Sequence, residues 1–303
     1  MTDLAIIILT HNEERHLERA LTGVASIARE IFVVDSYSSD RTVEIARAHG
    51  ATVLQNKFVN YAKQFQWALE HAPITAAWVM RLDADEIVEA DLAAEIAEKL
   101  PALGSDVAGI NLKRKHIFLG RWIRHGGRYP LILLRIWRRG QGRIEDRWMD
   151  EHMIVWGGRT VTFSGGFADH NLNDLTFFVD KHNKYATREA IDILNQRLHF
   201  APRDQELTFR GTSMQASAKR FMKEHIYNNV PFYCSSLIYF SYRYFIQLGF
   251  LDGVEGLCYH FLQGFWYRFL VGAKVLELQR AISCLTNADD IRSELARLTG
   301  LKL

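Results

Sequence analysis

Four short apolar runs, each followed by a stretch with helical spacing or a turn, fill the first third of this chain. "LAIIILT" (4–10) is unbroken and partly β-branched, of a length that suits a strand buried on both faces. Thr10 and Glu13 fit a capping box, and Leu17, Ala20, Leu21, Val24 and Ala25 then recur with a helical period. "EIFVVDS" (30–36) reads as a second strand carrying Asp35 at its end. "DRTVEIARAHG" (40–50) reads as a capped helix closed by Gly50, and "ATVLQN" (51–56) as a third strand. "NYAKQFQWALEHA" (60–72) is helical, and "AAWVMRLDADE" (76–86) is a fourth strand that runs into a group of acids. Such alternation with short connections predicts an open α/β sheet whose strands are parallel. Ligands of these sheets sit beyond the carboxyl ends of the strands. Thr10, Asp35 and Asp83 all stand at such ends, so one crevice should gather them.

The motifs absent from the chain narrow what that crevice binds. No G-x-G-x-x-G follows the first strand and no Walker A sequence occurs, which excludes a dinucleotide oxidoreductase and a P-loop ATPase. An acid at the second strand end suits hydrogen bonding to a base or ribose. Asp83, Asp85 and Glu86 repel one another unless a cation lies among them. Asp-x-Asp after a buried strand is an arrangement that holds Mg²⁺ or Mn²⁺, ions that take oxygen ligands and leave positions for substrate phosphates.

In order and at suitable intervals, "IILTHNEERHLERAL" (7–21), "VVDSYSSDRTVEIA" (33–46) and "RLDADE" (81–86) resemble glycosyltransferase family 2. The resemblance implies an α/β, GT-A-type, Rossmann-like mixed sheet that binds a nucleotide-activated sugar, with the diphosphate on a divalent metal. Carried onto this sequence, Thr10, Asn12 and Glu13 line the nucleotide pocket and Asp35 contacts a uracil-type base. Asp83 faces the ribose or sugar, or shares the metal, and Asp85 holds the metal. Lys63 matches a position facing the nucleotide or its diphosphate; an ordinary solvated helix lysine is the equal alternative. Ser38, Ser39 and Asp40 form a turn and helix cap.

An inverting transfer also needs a base on the far side of the sugar. "WMDEHMIVWGG" (148–158) offers Glu151, with Asp150 as runner-up, by similarity to bacterial lipopolysaccharide-core and exopolysaccharide members of the family. His170 in "FADHNL" is the candidate third metal ligand; a structural histidine is the alternative. From Lys113 to Arg147 there are eleven Lys and Arg against two acids, Glu145 and Asp146. That excess points to a phosphate-bearing partner or an anionic membrane face. Within it, Arg128, Tyr129 and Arg135 resemble acceptor-side positions, where guanidinium forks suit phosphate oxygens. Trp122, Trp137 and Trp148 read as core. Processive members carry Q-x-x-R-W; "IEDRW" (144–148) has Ile144 where Gln is needed, so one sugar per encounter is expected.

The remaining features set boundaries. Net charge is +2, which does not suit a nucleic-acid partner. Cys234, Cys258 and Cys284 match no zinc spacing and read as buried apolar residues in a reducing cytosol. No signal-peptide pattern opens the sequence. Residues 1–110 read as the nucleotide-sugar half, 111–225 as the acceptor half and 226–303 as a C-terminal amphipathic helical region. Charged residues interrupt the aromatic run from Val230 to Leu278, which therefore suits a membrane interface rather than a bilayer span. Together these predict a peripheral enzyme on the cytoplasmic face of the inner membrane, acting on a lipid-linked or oligosaccharide acceptor. The competing readings are a nucleotidyltransferase, disfavoured because "THNEERH" has no glycine, and a non-catalytic membrane assembly protein.

Overall fold

The structure is a computed structural model that describes residues 2–145, 152–201, 230–301 and 303. The chain divides into two compact units, Met1–Leu172 and Asn173–Leu303. Residue 110 lies inside a strand of the first unit, so the sheet runs across the boundary expected there.

The strands of the first unit are β1 (Leu4–Thr10), β2 (Glu30–Asp35), β3 (Thr52–Gln55), β4 (Trp78–Asp83), β5 (Glu86–Val88), β6 (Val107–Phe118), β7 (Arg121–Trp122), β8 (Leu131–Arg138), β9 (Gly142–Ile144), β10 (Met153–Val155) and β11 (Arg159–Asp169). The main sheet runs β3-β2-β1-β4-β8-β6-β11-β5, with β7 on β6, while β9 and β10 pair separately. β1 to β4 are parallel, as their sequence pattern predicts, and Thr10 stands opposite Asp35 and Leu9 opposite Asp83. β8 inserts antiparallel between β4 and β6, which makes the sheet mixed.

The unbroken apolar run of β1 follows from helices on both faces. Leu4, Ile6 and Ile8 pack with Leu17, Leu21 and Val24 of α1 (Leu17–Val24). Ala5 and Ile7 share the opposite core with Ala62, Phe65 and Ala68 of α3 (Tyr61–His71). Each such aliphatic side chain contributes roughly 1.5–3 kcal/mol by leaving water. α2 (Thr42–Ala48) and α4 (Ala90–Lys99) complete the helical layers. Where β11 crosses α4 the backbones nearly touch: a Cβ on Gly165 would lie 2.6 Å from the Leu92 Cα.

The expected capping box is absent. α1 begins at Leu17, its cap residue His16 makes no side-chain cap bond, and Thr10 belongs to β1. The donors of the loop are satisfied from across the β2–α2 connection instead. The amides of Asn12, Glu13 and Glu14 donate to the Ser38 hydroxyl (2.8 Å), the Thr42 hydroxyl (2.7 Å) and the Asp40 carboxylate (3.1 Å). Asn12 itself has φ +57°, a left-handed conformation that Asn tolerates.

The second unit is helical: α5 (Leu175–Leu198), α6 (Phe232–Ser241), α7 (Gly253–Tyr259), α8 (Tyr267–Ala281) and α9 (Ala288–Thr299). Ala190, Ile191 and Leu194 of α5, Val275 and Leu278 of α8, and Ile291 and Leu295 of α9 form its core. Among the described residues no helix is long and apolar enough to cross a membrane. The cysteines are free thiols but are not buried as expected: Cys234 and Cys258 are only half-buried, and Cys284 is exposed. Trp137 is core, Trp122 is half-buried, and Trp148 lies outside the described residues.

Candidate active site

The parallel strands deliver their acids to one end of the sheet. Thr10 donates its hydroxyl to Asp35 Oδ1 at 3.1 Å. The remaining lone pairs of Asp35 take the Ser38 amide (2.9 Å), the Ser38 hydroxyl and, at 3.4 Å, the Gln55 amide. Asp35 is fully buried. A further donor therefore reaches it by taking the place of one of these groups. The first turns of α3 span this end of the sheet. Gln64 donates to the Ser36 hydroxyl at 3.1 Å, and Tyr61 donates its hydroxyl to Asp83 Oδ1.

Asp83 is enclosed by cations yet keeps 28% of its side chain exposed. Arg81 Nε stands 3.6 Å from Oδ1 and donates to the Tyr61 hydroxyl at 2.9 Å, while Arg135 Nη2 stands 3.5 Å from Oδ2. Burial alone would push this carboxyl up; Arg81 and Arg135 hold it well below the usual range. Arg135 Nη2 also donates to Glu86 Oε1 at 2.6 Å, and the Asp83 amide donates to Glu86 Oε2 at 2.9 Å. Burial pushes the Glu86 carboxyl up against the pull of Arg135, with Asp83 adding to the rise. Arg135 is 4% exposed, and its Nη1 is a buried donor with no hydrogen-bond partner among the described residues.

Asp85 sits in the turn between β4 and β5. β5 pairs antiparallel with the end of β11, Glu86 opposite Asp169, which brings the residues after β11 beside the acids. The His170 amide donates to the Asp85 carbonyl at 2.9 Å, and the Asn171 amide group donates to Asp85 Oδ2 at 2.9 Å. α1 latches this segment. His16 Nε2 accepts the Leu172 amide at 2.9 Å, so the neutral ring carries its hydrogen on Nδ1 and donates it to Glu13 Oε2 at 2.6 Å. Glu13 thus orients a buried histidine.

Residues 5–169 match Glycosyl transferase family 2, a span that ends close to the boundary of the first unit. The chain belongs to glycosyltransferase family 2. An uncharacterized glycosyltransferase of Rickettsia typhi is 36% identical over 96 residues, 32% of each chain. The glycosyltransferase SunS of Bacillus subtilis is 30% identical over 95 residues, 30% of this chain and 22% of that one. The chain spans about a third of the length of the Rickettsia relatives it matches, and neither relative is named as a lipopolysaccharide or exopolysaccharide enzyme. Among solved structures, TarS of S. aureus in complex with UDP-GlcNAc is 15% identical with TM-score 0.44, covering 99% of this chain and 92% of that one. Glucosyl-3-phosphoglycerate synthase from Mycobacterium tuberculosis, in complex with Mn²⁺, UDP and phosphoglyceric acid, is 20% identical with TM-score 0.31, covering 37% and 43%.

Within this family 2 unit the structure brings Thr10 to Asp35 and Asp85 to His170. Asn12 contacts Ser38 and Ser39 in the same loop pair. Lys63 lies exposed in the first turn of α3, where the Asn60 side chain caps its amide. Arg128 and Tyr129 are half-buried, with the Tyr129 ring edge-on to Trp122 at 4.9 Å. Asp150 and Glu151 lie outside the described residues. Tyr61, Arg19 and Asn171 join the site without having been anticipated, because each finds its partner far along the chain, and Arg81 joins them beside Asp83.

No group of three or more His, Cys, Asp and Glu stands ready to hold a metal among the described residues. The donor chemistry nevertheless fits a hard divalent ion: the backbone bond from His170 to Asp85 brings a carboxylate-bearing and an imidazole-bearing residue to one turn, with other positions left to phosphate and water, as Mg²⁺ sites use. Asp83 fits less well as a ligand, since two guanidinium groups already balance its charge.

Proposed function

We propose that this chain transfers one sugar per encounter from a nucleotide-linked donor, read as a UDP-sugar, to an acceptor hydroxyl with inversion. The observation that carries the reading is the convergence of Asp35, Asp83 and Asp85, inside the span that matches the family, with His170, one residue beyond it, at the carboxyl end of the sheet.

Asp35, with Thr10 behind it, receives the base; Asn12 and Lys63 flank the nucleotide. Asp83, fixed by Tyr61, Arg81 and Arg135, orients the ribose or sugar through its exposed edge. Asp85 and His170 are the ligands for Mg²⁺ or Mn²⁺. When bound, that ion supplies charge neutralisation to the departing diphosphate. Glu151, or Asp150 in its place, takes the proton from the acceptor hydroxyl as the new bond forms at the anomeric carbon. Arg135 Nη1 and Arg128 supply donors for anionic oxygens, in keeping with a lipid-linked or lipopolysaccharide-type acceptor.

The helical unit supports a membrane-facing role. Tyr233, Leu237, Ile238, Phe245, Ile246, Val254 and Phe261 are exposed within a stretch of some thirty residues, and such aromatic-rich surfaces favour a lipid interface.

Calorimetric titration of UDP, GDP and their sugar conjugates, with Mn²⁺ and with chelator, tests the donor assignment. Metal-dependent binding of a uridine nucleotide is expected; binding of none under either condition overturns the reading. Glu151→Gln should keep donor binding and lose transfer, and full turnover in that variant moves the base to Asp150. Binding to anionic liposomes tests the helical unit, and absence of binding removes the membrane from the proposal.

A further inference from the structure

Arg19 projects from α1 onto the residue that follows β11. Its Nη2 donates to the His170 carbonyl at 2.8 Å, and its Nη1 stands 3.3 Å from His170 Nδ1. A guanidinium has only donors, so Nδ1 must present its lone pair and the neutral ring carries its hydrogen on Nε2. The same guanidinium lies in the field of Asp85. Arg81 and Arg135 pair with Asp83 and Glu86, while Arg19 stands on the residue whose amide is bonded to the Asp85 carbonyl.

Resting on the assignment of Asp85 and His170 as ligands, we propose that Arg19 is their resident counter-cation. It holds His170 in the tautomer a divalent ion needs, and must leave Nδ1 before such an ion is bound. Two facts make the exchange physically reasonable. A lone pair serves either a guanidinium hydrogen or a metal, not both. A second cation brought to Asp85 with Arg19 in place is repelled by it, in a half-buried site where water screens poorly. In this account the resting site stays charge-balanced without metal, and α1 is coupled to metal binding through one side chain.

The test reads bound Mn²⁺ directly, by electron paramagnetic resonance of the nucleotide-free full chain. Arg19→Ala should bind Mn²⁺ on the order of tenfold tighter than wild type at low ionic strength, because a unit charge near the ion has been removed. Arg19→Lys keeps that charge and should stay close to wild type, and adding His170→Ala to Arg19→Ala should cancel the gain. Circular dichroism melts establish that each variant is folded, and Arg19→Gln carries the same expectation as Arg19→Ala should the latter fail to fold. Equal or weaker affinity in Arg19→Ala and Arg19→Gln, with Asp85→Asn still abolishing binding, overturns the role of Arg19 and leaves the ligand assignment standing. No saturable Mn²⁺ binding in any protein, even with UDP added, overturns both together.

Discussion

The His170 amide donates to the carbonyl of Asp85 at 2.9 Å, tying the turn after β4 to the first residue beyond β11. That bond continues the antiparallel register in which Asp169 faces Glu86. Asp85 is thereby held by backbone as well as by the Asn171 side chain, leaving its role in the site open to a change of charge alone. Asp85→Asn preserves the shape of the turn and removes the carboxylate. It should abolish metal-dependent UDP binding with little change in melting temperature. Calorimetry with Mn²⁺ and with chelator checks this, and wild-type affinity in the variant would remove Asp85 from the metal site.

Tyr61→Phe isolates the support under Asp83. The hydroxyl bridges Arg81 Nε and Asp83 Oδ1, so its loss removes two hydrogen bonds to charged groups at a half-buried site. Hydrogen bonds to charged groups are worth about 1.5–3 kcal/mol each, and relaxation or water returns part of that. Stability should fall by roughly 1–3 kcal/mol in urea, and donor affinity should fall with it. A variant that loses stability but binds donor as wild type would make the Tyr61–Asp83 contact purely structural.

The sequence pattern made the parallel strands legible because a buried strand needs only its own run of apolar residues. It also placed Thr10, Asp35 and Asp83 at strand ends. The pairing of β5 with β11 was not legible, since it joins segments some eighty residues apart and leaves no periodic trace. Arg19, Tyr61 and Asn171 escaped notice for the same reason: each looks like an ordinary helix or loop residue until its partner is known. The helix start misled because Thr10 and Glu13 have capping-box spacing, while the loop donors are satisfied from Ser38, Asp40 and Thr42. Arg135 belongs to an Arg-rich stretch that reads as facing the phosphate oxygens of an acceptor, while its guanidinium is buried on Glu86.

That burial gives a third expectation. Arg135→Met strands Glu86 beside Asp83 without its nearest counter-charge, and breaking a buried pair from one side costs about 3–5 kcal/mol. Replacing both partners, Arg135→Met with Glu86→Leu, should recover at least half of that loss, because neither buried charge is then left alone. Urea denaturation of the two single variants and the double variant gives the coupling. Additive losses would mean that the 2.6 Å contact contributes little to stability.

The last expectation concerns pH and a carboxylate away from the site. The ladder between β11 and β6 shifts register between Thr162 and Gly166, which leaves the amides of Ser164 and Gly165 to be satisfied from elsewhere. Glu95 of α4 accepts them at 3.0 and 2.7 Å and also holds Lys99 at 2.7 Å. Burial would push its carboxyl up, but the Gly165 amide, Lys99 and the Ser164 amide hold it below its ordinary value. A carboxyl lowered by folding adds stability above its unfolded pKa and loses it as pH falls through the folded one. Glu95→Gln, which keeps one acceptor oxygen, should therefore cost about 1–2 kcal/mol at pH 7. The gap to wild type should narrow as pH falls from the unfolded-chain value of the carboxyl through its lower folded one. Thermal melts of both proteins at pH 7 and near pH 3 decide the matter. A gap that stays constant across that range would mean that shape, not charge, holds the bulge of β11 against α4.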